Sequence, residues 1–292
     1  MKAVIFFCCL LMLTACGSSG QKDVVENPYA ERMKELTHNG VSAMQRERWL
    51  VAEKLFDRAL HAAQLANDSN LIARAWYNLG VLYASKGDNE KAVAALKKTM
   101  RVAEQHQLEV THLRAKTALA LLRQKQGHAA WRPDAFSASM PMDLHLSLAR
   151  LAQLQKRYNV ARREYAFVLK KKVSDRASVL YQIEAHMGMA LLADQQADEV
   201  AVKQSVHQVL EMSRKVGAPR LAAHALLLSA KWEKNLISKD DSLQDALVIY
   251  QRLQDVRGQK DVLAQLIIVA EKQSDQMRLK ALQEQLHTLE IE

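Results

Sequence analysis

Apolar side chains recur along this chain at three- and four-residue intervals, in runs separated by short polar breaks. That is the period of helices with one buried stripe. Small residues mark a longer period. Gly40 and Gly80 stand forty residues apart, as do Ala52 and Ala92, and Gly87 and Gly127. A forty-residue unit of two helices accounts for both patterns. The runs predict helix pairs at 28–46 with 48–66, 71–86 with 88–106, 142–156 with 158–172, 175–194 with 197–216, 219–237 with 240–257, and 260–273 with 274–290. A third unit begins at 109–126, with Leu119-Ala120 at the small-residue position, and then breaks. Residues 128–141 hold Trp131, Pro133, Phe136 and Pro141 without a sustained helical period. Proline inside a helix costs about 3 kcal/mol. The stretch reads as a short damaged helix plus loop, or as an ordered insertion.

The breaks carry the chemistry of helix ends. Asn27-Pro28 supplies an N-cap and a first-turn proline. Asn67-Asp68-Ser69-Asn70 reads as a turn and cap. Gly87 suits a left-handed turn, and Asp88 can cap the helix that follows. Asp240-Asp241 also reads as a cap. The last run turns polar at Gln283, Glu284, Gln285 and His287, as the terminal unit of a stacked array does.

Within 73–99, Trp76, Leu79, Gly80, Tyr83, Gly87, Ala92 and Leu96 stand at set offsets. These residues resemble the signature of the tetratricopeptide repeat, a helical hairpin that stacks into a superhelix. In 28–66, Gly40, Ala52, Phe56 and Ala59 keep the small and aromatic positions, while Leu36 and Ala43 replace the tryptophan and tyrosine. In 142–172, Ala149 takes the glycine position and Tyr158, Ala161 and Tyr165 resemble the second helix. Gly188 is the small residue of the next unit; Ala246, Tyr250 and Leu253 repeat the second-helix spacing in the one after. The expectation is an all-α superhelix of six to seven helix pairs, an N-terminal array over 28–127 and a C-terminal one over 142–292, interrupted near 128–141. Gly80 and Ala92 would let two helices approach closely, with Tyr83 and Leu96 filling the space between neighbours.

Composition agrees. The chain has 292 residues, of which only 4 are proline and 9 glycine, so helix breakers are scarce. The formal net charge of +9 is compatible with an acidic partner, a phospholipid surface or nucleic acid; the blander reading is the solubility of a long helical surface.

The first residues have a different character. Met1-Lys2 is followed by an apolar run, Ala3 to Met12, shorter than the roughly 20 residues a membrane helix needs but suited to a secretory leader. Leu13-Thr14-Ala15-Cys16 resembles a bacterial lipobox. The resemblance implies cleavage of a signal peptide 1–15 and acylation of Cys16, with palmitate among the attached chains. Cys8 and Cys9 would leave with the leader, so no internal disulfide is expected. Gly17 after the cysteine, rather than aspartate, implies sorting to the outer membrane. Residues 16–27 would then be a lipidated flexible tether spanning about 20 Å. Nucleic acid is not expected for an exported chain.

The sequence carries no catalytic or metal-binding string. The sequence lacks H-E-x-x-H, C-x-x-C, G-x-S-x-G and phosphate-loop patterns, and its 10 histidines are scattered. The chain reads as a non-enzyme with no catalytic residue, metal or cofactor. By the same resemblance, the binding surface is the concave face lined by the first helix of each pair. Setting Gly40, Gly80 and Ala120 at equivalent positions makes Lys34, Arg74 and Arg114 a stripe of cations. Tyr77, Asn78 and Thr117 lie beside it, with Thr37, His38 and Val81. Such a stripe suits a carboxylate or acidic peptide, though it departs from the carboxylate clamp of chaperone-binding members. It would end beyond the break, where Asp143 and Gln182 match. Trp131 and Phe136 either bind a partner or tuck back over the flank of the preceding helix. Lys170 to Lys172 with Arg162-Arg163 could touch head groups or peptidoglycan, or form a solvated helix end.

The combination resembles lipid-anchored envelope adaptors. The expected function is a non-catalytic scaffold at the outer membrane, its folded part periplasmic, that holds a protein partner during assembly of an envelope complex of the pilus or secretin type. The alternative is a regulator of peptidoglycan synthases or hydrolases.

Overall fold

The computed structural model describes residues 27–128 and 131–291. The expected signal peptide, Cys16 and the tether before Asn27 lie outside the described residues. Thirteen α-helices follow one another among those residues: α1 (Pro28–Gln45), α2 (Trp49–Leu65), α3 (Ser69–Lys86), α4 (Asn89–Gln105), α5 (Glu109–Lys125), α6 (Met142–Leu154), α7 (Tyr158–Lys170), α8 (Arg176–Gln195), α9 (Glu199–Val216), α10 (Pro219–Trp232), α11 (Leu236–Arg252), α12 (Val256–Lys272) and α13 (Gln276–Ile291). The tightest packing is within the hairpins α1–α2, α3–α4, α6–α7, α8–α9 and α10–α11, followed by consecutive helices. With α12–α13 this makes six hairpins and one unpaired helix, α5.

Helix ends follow the local chemistry. Asn27 accepts a hydrogen bond from the N–H of Tyr29 at 3.0 Å, and Asp68 accepts from Asn70 and Leu71 at 2.8 and 3.1 Å. Asp88, Asp198 and Asp255 cap α4, α9 and α12 in the same way. Between helices the chain reverses through one left-handed residue. Glu47, Asn67, Gly87, Gln107 and Gly127 all have positive φ and stand twenty residues apart. This spacing sets the forty-residue hairpin: one helix of four to five turns, one reversal, and the same again.

Two boundaries differ from expectation. The turn between α10 and α11 falls at 233–235, because Asn235, not Asp240, caps α11 by accepting from Ile237 and Ser238. Asp240 lies within α11 and pairs with Arg278 of α13 at 2.6 Å. The last unit starts at Val256 rather than 260.

The core is a chain of local clusters, as a quasi-linear array requires. Met33, Leu36, Phe56 and Leu79 join α1–α3; Tyr165, Ala161 and Leu146 join α6–α8; Tyr250, Leu263 and Leu266 fill the last units. Leu96 is buried, whereas Tyr83 is half-buried and donates its hydroxyl to Glu53 of α2 at 3.1 Å. That carboxylate and burial push the Tyr83 phenol up to about 12, burial being the larger cause.

Residues 131–141 contain no helix. They form a strap beside α6 and α7. Gln155 donates to the Trp131 carbonyl at 3.1 Å, Arg157 to that of Pro133 at 3.0 Å, and Lys171 to that of Ala138 at 3.3 Å. Arg157 and Arg163 both hold Asp134. Trp131 and Phe136 therefore fold over the hairpin that follows them. Contact with the preceding helix comes from Lys116, whose ammonium lies 4.4 Å from the Trp131 ring centroid. Beneath the strap, Phe136 packs near His145, which stacks on Phe167 at 4.0 Å. His145 Nδ1 is 2.7 Å from Glu164 Oε2, and both side chains are almost fully buried.

Candidate functional site: the concave groove

The first helices of successive hairpins touch one another, α1 on α3, α3 on α5, α6 on α8 and α8 on α10, while the second helices do not pack together in this way. Elements on the inside of a curve come closer than those outside it, so α1, α3, α5, α6, α8, α10 and α12 line the concave face.

The left-handed turn residues give each groove position its register. Gly40, Gly80, Ala120, Ala149 and Ala190 each stand seven residues before a positive-φ residue, namely Glu47, Gly87, Gly127, Lys156 and Ala197. The equivalent of Gly80 in α8 is therefore Ala190, not Gly188. Gly188 is small for another reason: a Cβ there would lie 2.3 Å from the ring of Tyr165 on α7. Gly80 instead makes room for Leu96 on its own partner helix. With the register corrected, the position of Lys34, Arg74, Arg114 and Asp143 continues with Glu184 rather than Gln182. Gln182 turns aside to donate to the carbonyls of Leu169 and Lys171.

These residues do not form one row of open cations. Arg114 makes two hydrogen bonds to Asp143, Nε to Oδ2 at 2.6 Å and a terminal nitrogen to Oδ1 at 3.0 Å. The Asp143 hydrogen bond holds the guanidinium above its ordinary value against partial burial. Because α5 has no second helix, α6 packs directly on it and brings Asp143 to Arg114. Arg150 of α6 repeats the motif with Glu184 of α8 at 2.9 Å. Lys34 is exposed and pairs with Glu31 at 2.5 Å. Arg74 is exposed, and its side chain has no hydrogen-bond or ion-pair partner among the described residues.

The neighbours divide similarly. Tyr77 is half-buried against Leu96, Ala115 and Leu119. Burial raises its phenol, opposed by Arg114 and Arg150 and assisted by Asp143. Asn78 is half-buried in α3. Thr117 is fully buried, with its hydroxyl donating to the Leu113 carbonyl at 2.7 Å. It cannot meet a ligand in the groove, contrary to expectation. Of the basic clusters, Arg163 and Lys171 are engaged with the strap and Arg162 donates to Gln196 at 2.8 Å.

A pocket lies further along the same face. Met187 and Leu191 of α8, His224, Leu227 and Leu228 of α10, and Ala264 of α12 surround a hollow of about 500 Å³. Asp261, Gln265 and Lys231 complete its wall. Lys231 is held by Asp194, which also accepts from the indole of Trp232 at 2.8 Å. Burial lowers His224 below the ordinary histidine value, although Asp255 pulls it upward. The imidazole is thereby biased toward its neutral form, so the hollow is mainly apolar with a few polar groups, the usual make-up of a recognition pocket. Its sequence signal is a repeat of thirty-seven. Met187, His224 and Asp261 are equally spaced, as are Leu191, Leu228 and Gln265. A period of forty anchored on Gly188 passes over both rows.

A family model described as tetratricopeptide repeat matches residues 35–105. Residues 35–105 form a tetratricopeptide-repeat region. The match covers most of α1 and all of α2–α4, within the stretch of regular twenty-residue turn spacing that continues to Gly127. No curated protein matches the chain. Among the described residues, no group of three His, Cys, Asp or Glu could hold a metal ion. No described helix is long and apolar enough to cross a membrane.

Proposed function

We infer that this chain is a non-catalytic scaffold that holds a partner protein in the groove pocket of α8, α10 and α12. The apolar hollow at Met187, Leu191 and Leu228 carries the reading. It is walled by three consecutive first helices, which a bound segment can span without rearranging the array. Arg74, an exposed cation on α3, steers or anchors an acidic part of the same partner. We further propose that the chain is a lipoprotein. In this reading residues 1–15 are removed, Cys16 is acylated, and residues 16–27 tether the arrays 28–127 and 142–292 on the periplasmic side of the outer membrane. Lipobox-like Leu13-Thr14-Ala15-Cys16 supports this part. The envelope complex served is of the pilus or secretin type.

The test is photo-crosslinking in intact envelopes from a reactive residue at Gln265, followed by capture and identification of the product. Secretin or pilin components in the product support the reading. Cell-wall synthases or hydrolases would replace it by the regulatory alternative. Leu191→Asp with Leu228→Asp should abolish the product while leaving the helix content unchanged; an undiminished product removes the pocket from the mechanism. Cys16→Ser should release the chain from membranes, and continued membrane retention would refute the anchor.

A further inference from the structure

Away from the groove pocket, the end of the first hairpin's leading helix and three later helices line a common cavity. The end of α1, at Ser42 and Arg46, faces the start of α8 at Arg176, the start of α10 at Arg220 and the end of α11 at Arg252, around a cavity of about 520 Å³. Four guanidinium groups from four separate helix ends share this hollow, and no aspartate or glutamate lines it.

Their charge is only partly answered. Arg220 lies 3.1 Å from Asp255 Oδ2. Arg176 donates to the Gly217 carbonyl at 3.2 Å. Asp175, beside Arg176, is turned to its own helix and accepts from Ser178. The side chains of Arg46 and Arg252 have no hydrogen-bond or ion-pair partner among the described residues. The amino end of α10 adds to the positive potential. Its cap residue Ala218 offers no side-chain acceptor, and its first turn holds no acidic residue. The carboxyl ends of α1 and α11 offset part of this charge but supply no carboxylate.

We propose that this hollow binds a phosphate-type polyanion and that the bound anion clamps the first hairpin to the second half of the superhelix. Guanidinium forks match the paired oxygens of phosphate, and the volume exceeds that of one phosphate group, so a diphosphate or a phosphorylated headgroup fits the chemistry. Without an anion, Arg46 faces Arg176, Arg252 and the Asp255-paired Arg220 across the gap. The occupant removes that repulsion and links α1 to α8, α10 and α11. The inference is independent of the groove reading, since none of its residues lines the groove pocket.

The probe is pyrophosphate, titrated into the purified full-length chain at constant ionic strength. Saturable one-to-one binding is expected, and Arg46→Gln with Arg252→Gln should weaken it by about tenfold or more per arginine removed. Both side chains are exposed, so the variant should keep its fold; circular dichroism checks this. Spin labels at the exposed positions Leu50 and Val248 should show a narrower distance distribution with pyrophosphate bound. Binding no tighter than that of sulfate at equal ionic strength, or unchanged in the double variant, overturns the proposal. Phosphatidylglycerol vesicles separate the sources. Vesicle binding displaced by pyrophosphate assigns the site to a lipid headgroup; pyrophosphate binding without vesicle binding assigns it to a soluble ligand.

Discussion

Gly188→Ala separates two opposing effects at one helix position. In α8, alanine in place of glycine should stabilise the helix by about 1 kcal/mol through lower backbone entropy in the unfolded chain and better helix propensity. Against this stands the Tyr165 ring. A Cβ at 188 would lie 2.3 Å from Cε1 and Cζ and 2.7 Å from the hydroxyl oxygen. The ring has little room to yield. It is 1% exposed, and its hydroxyl donates to Gln153 at 3.0 Å. Overpacking of this kind costs about 1–3 kcal/mol, and loss of the buried hydrogen bond adds about 1 kcal/mol. The net expectation is destabilisation of about 1–3 kcal/mol. The same change in a Tyr165→Leu background should be neutral or stabilising, because the overlap is gone and the propensity gain remains. Helical arrays do not always unfold in one step, so urea unfolding is paired with hydrogen exchange of α7 and α8 amides. Protection there should fall in the single variant and recover in the background. If Gly188→Ala alone raises stability by about 1 kcal/mol, Tyr165 does not pack there and the α7–α8 register is wrong.

Three further outcomes follow from particular contacts. Arg114→Gln should cost about 1–2 kcal/mol by leaving half-buried Asp143 without its paired donors; the swap Arg114→Asp with Asp143→Arg should recover part of the loss in urea unfolding, and no recovery would argue against a direct pair. His145→Leu should cost about 3 kcal/mol, because Glu164 would stay buried with only Arg163 Nε at 3.2 Å, and the strap should become more susceptible to limited proteolysis. Burial lowers both His186 and His224, so the folded state binds fewer protons than the unfolded one; stability should fall as pH drops below the ordinary histidine value near 6.5, and the slope should shrink in His224→Leu. A flat stability profile from pH 7.5 to 5 would contradict that burial.

The α-helical class, the hairpin unit and much of the array were legible because their causes are local. Asn27, Asp68 and Asp88 cap helices by bonding to N–H groups two or three residues away. Gly87 takes the left-handed conformation that its turn requires, and apolar stripes repeat at the helical period. The break at 128–141 was equally readable, since Pro133 and Pro141 cannot sit inside a helix. What the chain did not reveal depends on which helix meets which. Gly188 looks like a second Gly80 until Tyr165 is found behind it, on the preceding helix rather than its own partner. Thr117 looked open to the groove by its spacing alone, whereas packing buries it completely and leaves its hydroxyl bonded to the Leu113 carbonyl. Arg114 joined a row of like charges by spacing alone, whereas packing sets Asp143 against it. The apolar hollow of α8, α10 and α12 and the cavity shared by Arg46, Arg176, Arg220 and Arg252 arise only when residues tens to hundreds of positions apart are stacked. Local bonding rules determined the elements; the curvature of the array decided which faces remain free to bind.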